Sequence, residues 1–179
     1  MTTKKLVLLS LLIALHVILS EFLAIRLPLL KIGFSFVPLS IMAMLMGPIY
    51  TCIGIVLSDI IGLLLFPPAA PPFWGFTLSS GLTGFIYGYF LYKKGIEPID
   101  KKKYVLKIII ACAMVSFLVN STLNTYWLTI LYGDSFLAIL PVRLAKNIFF
   151  FLFHAYAIYW FSPYISYNKI FTNYTNVEE

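Results

Sequence analysis

The chain has 179 residues, of which 61% are hydrophobic and only 11% are charged, and its mean hydropathy is +0.94. A soluble domain of this size carries about a quarter charged residues, so there is no room for a separate soluble domain. The formal net charge is +6, but the lysines lie in short clusters beside apolar runs, as they do in cytoplasmic loops of membrane proteins, and nucleic-acid binding is not expected.

Six apolar runs predict an all-α integral membrane bundle, because a helix of about 20 apolar residues crosses a hydrocarbon core about 30 Å thick. The predicted transmembrane helices cover residues 6–25, 34–46, 49–66, 73–92, 104–131 and 136–161. The second run is short for a span, which indicates a tilted or partly irregular segment. We expect residues 1–179 to form a single membrane-embedded substrate-binding domain.

Proline and glycine mark the ends of the early spans. Arg26-Leu27-Pro28 ends the first, Gly47-Pro48 separates the second from the third, and four prolines in residues 67–72 end the third. Proline cannot continue a helix interior, so each is a predicted break. The first span superficially resembles a signal peptide, but no A-x-A-like cleavage site follows it, so a retained helix is predicted.

The lysine clusters set the expected orientation. Lys4 and Lys5 precede the first span, and the run 101–103 with Lys93 and Lys94 fills the connection between the fourth and fifth. With six spans these regions lie on one side, and the positive-inside rule makes that side the cytoplasm. Both termini are then cytoplasmic. Five spans would instead place the C-terminus outside.

Charged residues that the cytoplasmic loops do not explain fall in the outer half of the predicted bundle. An ionisable residue within a span is costly and by default indicates a functional site. These residues are Glu21, Arg26, Lys31, Asp59, Arg143 and Lys146.

Helical spacing adds polar and aromatic side chains to this region. Residues four apart share a helix face, as do Asn120 with Asn124 and Arg143 with Asn147. Amides and a carboxylate suit the edge of a planar heteroaromatic ligand, aromatic rings suit its faces, and arginine suits a ligand carboxylate. The predicted substrate-binding residues are Arg26, Lys31, Asp59, Phe73, Trp74, Thr77, Asn120, Asn124, Trp127, Arg143, Lys146 and Asn147.

Most of these residues also have a purely structural interpretation. Asp59 and Arg143 would form an ion pair between two helices, and the asparagines would be interhelical hydrogen-bonding residues. Arg26, Lys31 and Lys146 would extend to the lipid headgroups, and Trp74 and Trp127 would belong to an interfacial aromatic belt.

Small residues form two helix faces that permit close packing. Gly81, Gly84 and Gly88 line one face of the fourth span, where packing within the bundle is the expected use. Ser10 and Ala14 form a small-x-x-x-small pair on the first span, which is suited to docking on another membrane subunit.

Catalytic and metal-binding patterns are not found in the sequence. His16 and His154 are isolated on apolar helices and are expected to be satisfied buried histidines, and Cys52 and Cys112 are expected to be buried and reduced. No metal motif and no nucleotide-binding loop is present, so we expect no enzymatic activity, no catalytic residue, no metal and no cofactor.

The order of several strings resembles the folate-type substrate-binding (S) component of energy-coupling factor (ECF) vitamin transporters. The likeness covers about residues 5–165 and depends on the order and spacing of the strings together. The strings are Arg26…Lys31-Ile32…Phe36-Val37-Pro38, Gly47-Pro48, Leu57-Ser58-Asp59-Ile60-Ile61-Gly62, Phe73-Trp74-Gly75-Phe76-Thr77-Leu78, Gly84-Phe85-Ile86-Tyr87-Gly88, residues 120–128, and Arg143-Leu144-Ala145-Lys146-Asn147.

The resemblance implies a six-helix subunit that captures folate outside a bacterial cell. Such a subunit docks on a transmembrane coupling subunit driven by two separate ATPases, and it topples in the membrane to release its ligand. The segments 26–36, 66–74 and 132–140 would gate the pocket. The family docking motif is A-x-x-x-A, and this chain has Ser10 at its first position and Ala14 at its last.

Competing functions remain within and outside this class. An S component for another vitamin or a modified base shares the fold. A small self-sufficient channel or secondary transporter is the alternative from another class; internal inverted repeats would favour it, and none is found in the sequence. A membrane-embedded enzyme lacks a catalytic constellation.

Overall fold

The computed structural model describes residues 3–26, 31–67, 72–92, 101–133 and 136–167, without the side chains of residues 25–26, 31–32, 101 and 164–167. The elements, in chain order, are α1 (Thr3–Glu21), β1 (Ile25–Arg26), β2 (Lys31–Ile32), α2 (Phe36–Leu65), α3 (Trp74–Leu91), α4 (Lys101–Ala113), a π-helical segment (Met114–Leu123), α5 (Asn124–Tyr132) and α6 (Phe136–Tyr167).

Helix α2 folds back on itself at Gly47, where the sequence predicts the break. Gly47 has φ 78°, a left-handed value that glycine adopts without strain, and Pro48 follows it. Met42 and Gly54 are 12 positions apart, which is about 18 Å along a straight helix. A Cβ built at Gly54 nevertheless lies only 2.7 Å from Met42 Sδ. The two arms of α2 are therefore antiparallel neighbours.

Helix α3 packs against the second arm of α2 through its glycine face. A Cβ at Gly84 would lie 3.0 Å from the Thr51 carbonyl oxygen, and one at Gly88 would lie 2.5 Å from Pro48 Cα. Only glycine permits this backbone approach, so the predicted use of the glycine face in bundle packing is confirmed.

The predicted fifth span is a continuous rod of α4, the π-helical segment and α5. Two side-chain hydroxyls in the segment follow the wide i→i+5 pattern: Ser121 donates to the Ser116 carbonyl oxygen at 2.9 Å, and Thr122 donates to that of Phe117 at 3.0 Å. The sequence analysis predicts no such interruption. Ten π-helical residues are unusual, because this conformation mostly occurs as single turns and often at functional sites.

The described part of the chain is helical except for the two strands of two residues each, and its long apolar helices are those of a membrane protein. Within the described ranges, four helices are long and apolar enough to cross a membrane, at residues 3–21, 36–65, 102–132 and 136–163. Helix α3, with 18 residues, is not among them. Its composition explains this, because it carries glycines that pack on α2 and polar residues on another face.

Ala24, Gly33 and Ser35, which are described residues before α2, line the cavity between the helices. The Phe36 ring at the start of α2 stacks on His154, with centroids 4.2 Å apart and planes at 26°. His154 lies 18 positions after Phe136, so it is about 27 Å along α6. Helix α2 therefore begins deep in the bundle, after the antiparallel pair β1–β2. Irregular backbone is tolerated at such depth where it lines a cavity.

Candidate ligand-binding cavity

A cavity of about 450 Å³ lies between the helices, within the usual range for small-molecule sites. Its wall comes from α1, both arms of α2, α3, the π-helical segment, α5 and α6. The chain before α2 adds Ala24, Gly33 and Ser35. Six of the twelve predicted substrate-binding residues line it: Asp59, Asn120, Asn124, Arg143, Lys146 and Asn147.

The acidic wall is the Asp59 carboxylate on α2. Thr77 Oγ1 on α3 donates a hydrogen bond to Asp59 Oδ2 at 2.6 Å, which orients the carboxylate. Thr77 itself is buried behind the cavity. The ion pair of Asp59 with Arg143, considered from the sequence, stays a prediction. The Asp59 carboxylate itself lines the cavity.

The amide wall is the pair Asn120 and Asn124. Asn124 Nδ2 donates to Asn120 Oδ1 at 3.1 Å. Asn124 Oδ1 is buried and accepts no hydrogen bond from the described part of the protein. A buried acceptor without a donor costs about 1–3 kcal/mol, so this oxygen is suited to accept an N–H of a ligand.

The cationic wall belongs to α6. Arg143 is 8% exposed, and its Nη2 donates to the backbone carbonyl oxygen of Asn120 at 3.1 Å. Lys146 Nζ lies 5.5 Å from the centroid of the Phe150 ring. The Asn147 amide contacts Ser116 and Ser121 of the π-helical segment. Two basic side chains thus line the same cavity as Asp59.

The predicted aromatic residues adjoin the cavity rather than line it. Trp127 Nε1 donates to Ser79 Oγ at 3.0 Å, and the Phe73 ring lies 5.5 Å from that of Trp127. Trp74 is 66% exposed and points away. The rings that do line the cavity are Phe36, Phe76 and Phe150. Arg26 and Lys31 pair through their backbones, and their side chains lie outside the described part of the structure.

Sequence reasoning misses the histidines and small polar residues of the wall. His16 and His154 both line the cavity, and His16 Nδ1 lies 2.5 Å from Ser58 Oγ. The fold brings together residues that are isolated along the chain. One signal is present in the sequence: polar residues recur four apart on apolar helices. The cavity-lining examples are His16 with Ser20, Ser79 with Thr83, and Ser116 with Asn120.

The predicted docking residues lie on the outer surface of α1. Ser10 and Ala14 are both exposed, and the Ser10 hydroxyl donates to the Leu6 carbonyl oxygen at 3.0 Å. The hydroxyl is thus satisfied within its own helix, and the two residues leave a shallow surface.

Two folate transporters and one crystal structure are similar to this chain over most of its length. A folate transporter FolT from Clostridium novyi (strain NT) is 37% identical over 147 residues, which are 82% of this chain and 81% of the relative. A folate transporter FolT from Leuconostoc mesenteroides subsp. mesenteroides is 32% identical over 154 residues, with 83% and 79% covered. A crystal structure described as FolT bound with folic acid superposes with a TM-score of 0.81 at 38% identity, covering 91% of this chain and 95% of that one.

The family assignment agrees with these relatives and confirms the resemblance noted from the sequence. Residues 4–170 match the family described as "ECF transporter, substrate-specific component". Its relatives are transport proteins rather than enzymes. The chain belongs to the substrate-specific components of ECF transporters.

Proposed function

We propose that this protein is the folate-binding S component of an ECF-type vitamin importer. It captures folate outside the cell in the cavity and then delivers it through a coupling subunit driven by separate ATPases. The observation that carries the proposal is that one cavity is lined by a carboxylate oriented by Thr77, that of Asp59, and by the buried guanidinium of Arg143.

The chemistry of folate suits the three polar walls. Its pterin is planar, with N–H donors and ring acceptors, and its glutamate tail is anionic. Asp59 accepts from N–H groups of the pterin, and Asn124 Oδ1 offers a further acceptor. Arg143 and Lys146 pair with anionic groups of the ligand or donate hydrogen bonds to its acceptor atoms. The rings of Phe76 and Phe150 contact the ligand faces. Arg26, Lys31, Phe73, Trp74, Thr77 and Trp127 stay predicted ligand contacts.

The membrane arrangement that we propose has six spans, with the two arms of α2 counted separately and both termini in the cytoplasm of a bacterial cell. The reversal at Gly47 supports this count. The exposed Lys102, Lys103 and Lys107 lie at the start of the rod that begins with α4, as the positive-inside rule favours for a cytoplasmic end.

The proposed partners are a transmembrane coupling subunit and two ATPases. The chain carries no nucleotide-binding loop, so energy has to come from another protein. The exposed pair Ser10 and Ala14 on α1 provides a small-residue surface that a helix of the coupling subunit can approach closely. Toppling of this subunit would then carry the cavity toward the cytoplasm.

Uptake of labelled folate tests this proposal in cells that lack their own folate importer. The full chain should support uptake only when the coupling subunit and ATPases are co-expressed, and uptake should stop when the ATPase sites are inactivated. Folate uptake by the chain alone would indicate a secondary transporter. Coupled uptake of another vitamin, with no folate uptake, would place the chain in the same family with a different ligand.

A further inference from the structure

The π-helical segment is tied to α6 by a buried hydrogen-bond network. Ser121 Oγ donates to the Ser116 carbonyl oxygen at 2.9 Å, and Asn147 Nδ2 lies 2.8 Å from Ser121 Oγ and 3.4 Å from Ser116 O. Because the Ser121 hydroxyl donates its one hydrogen to the Ser116 carbonyl oxygen, Ser121 Oγ acts as the acceptor in its hydrogen bond with Asn147. Both amide hydrogens of Asn147 are therefore used within the protein.

Within this network, Ser121 lies behind the cavity wall, whereas Ser116 and Asn147 are part of it. Ser121 is 2% exposed and is not part of the cavity lining, whereas its neighbours Ser116, Asn120 and Asn124 are. A further hydrogen bond joins the segment to α6, since Arg143 Nη2 donates to the Asn120 carbonyl oxygen. The segment is thus fixed to α6 on both sides of Asn120.

The register of the segment decides which side chains reach the ligand. An α-turn holds 3.6 residues, and i→i+5 bonding widens the turn, which changes the direction of residues four apart. In this register Ser116, Asn120 and Asn124 all face the cavity, with the two asparagine amides 3.1 Å apart. π-Helical turns are frequent at functional sites, and this one presents an amide pair.

We infer that Ser121 and Asn147 are positioning residues that hold the π-helical segment in its wide register, so that the Asn120–Asn124 amide pair faces the ligand. Neither side chain donates a hydrogen bond to the ligand, because the Ser121 hydroxyl and the Asn147 amide hydrogens are used within the protein. This assigns Asn147 a different role from the direct contact that the sequence predicts. The identity of the ligand as folate rests on the proposed function.

The variant Ser121→Ala tests the inference, because this side chain is outside the cavity lining. Its matched control is Thr122→Val. Thr122 also donates to the carbonyl oxygen five residues back, at 3.0 Å, but it is exposed and is not part of the cavity lining. Two quantities are measured on the full chain in detergent: amide hydrogen exchange across residues 114–124, by mass spectrometry, and the Kd for folate.

Ser121→Ala should speed exchange in this segment and weaken folate binding about tenfold, whereas Thr122→Val should change the Kd by less than about threefold. Asn147→Asp, which keeps the size of the side chain but loses both donors, should reproduce the Ser121→Ala exchange pattern. On an Asn120→Ala, Asn124→Ala background, Ser121→Ala should cause no further loss of affinity, since the pair through which it acts is gone.

Unchanged exchange in Ser121→Ala would overturn the inference, whatever the ligand is. So would faster exchange with an unchanged Kd, or a full additional loss on the double-alanine background. Wild-type protein that fails to bind folate would instead contradict the proposed function, and the exchange comparison would still decide whether Ser121 and Asn147 hold the segment.

Discussion

Thr77 Oγ1 on α3 donates a 2.6 Å hydrogen bond to Asp59 Oδ2 on α2 and so fixes a carboxylate at the cavity wall. Hydrogen bonds to charged groups are worth about 1.5–3 kcal/mol. Asp59→Ala should therefore weaken folate binding by about 10- to 100-fold. Thr77→Val, which removes only the orienting bond, should have a smaller effect. Calorimetric titration measures both, and an unchanged Kd in Asp59→Ala would contradict the proposed acidic wall.

Arg143 should be sensitive even to a change that keeps its charge. Its Nη2 bonds to the Asn120 carbonyl oxygen, and a lysine cannot reproduce the planar fork that makes this bond while facing a ligand. Arg143→Lys and Arg143→Ala should each raise the Kd for folate by about tenfold or more. Lys107→Ala removes an exposed cation far from the cavity and serves as the control. Wild-type affinity in Arg143→Lys would mean that only the charge matters.

The glycine face of α3 predicts a graded loss of stability. A Cβ at Gly88 would lie 2.5 Å from Pro48 Cα, which is backbone, whereas a Cβ at Gly81 would lie 2.9 Å from a Val56 methyl, which can move. Gly88→Ala should therefore lower the free energy of unfolding by about 1–3 kcal/mol, and Gly81→Ala by less. Thermal unfolding in detergent compares them. Equal losses would show that the backbone contact at Pro48 is not limiting.

The docking surface on α1 should separate assembly from ligand capture. Ala14→Trp places a large side chain on an exposed helix face outside the cavity lining. Folate binding should be retained, while co-purification with the coupling subunit and coupled uptake should be lost.

Leu152→Trp also places a tryptophan on an exposed face, on α6 outside the predicted gating segments and the cavity lining, and is the control. If Ala14→Trp assembles and transports as well as this control, the proposed docking role of Ser10 and Ala14 is wrong.

The sequence predicts those features of the fold that depend only on neighbouring residues, such as helix breaks at glycine and proline. Gly47-Pro48 marks a break in any helix, and the structure reverses there. The π-helical segment was not predicted, because the string Met114–Leu123 is as apolar as an ordinary span. Its bonds to Arg143 and Asn147 on α6 exist only in the folded bundle.

The site was predictable where charge is unusual within a span, as at Asp59 and Arg143, which both line the cavity. The aromatic residues were harder to assign, because a tryptophan near a helix end suits either a ligand or the membrane interface. Trp74 is exposed, and the rings that line the cavity come from phenylalanines in apolar runs. The place of His154 in the cavity wall was also not predicted, because Phe36, the ring that stacks on it, is distant along the chain and meets it only in the folded bundle.

Titration of the purified chain with folate in detergent, without ATP or any other subunit, tests the central claim most directly. Calorimetry gives the stoichiometry, and thiamine, riboflavin and biotin serve as competing ligands. Tight one-to-one binding of folate that none of these displaces is the predicted result. A folded protein that binds none of the four, or that binds another vitamin in preference to folate, would contradict folate as its ligand.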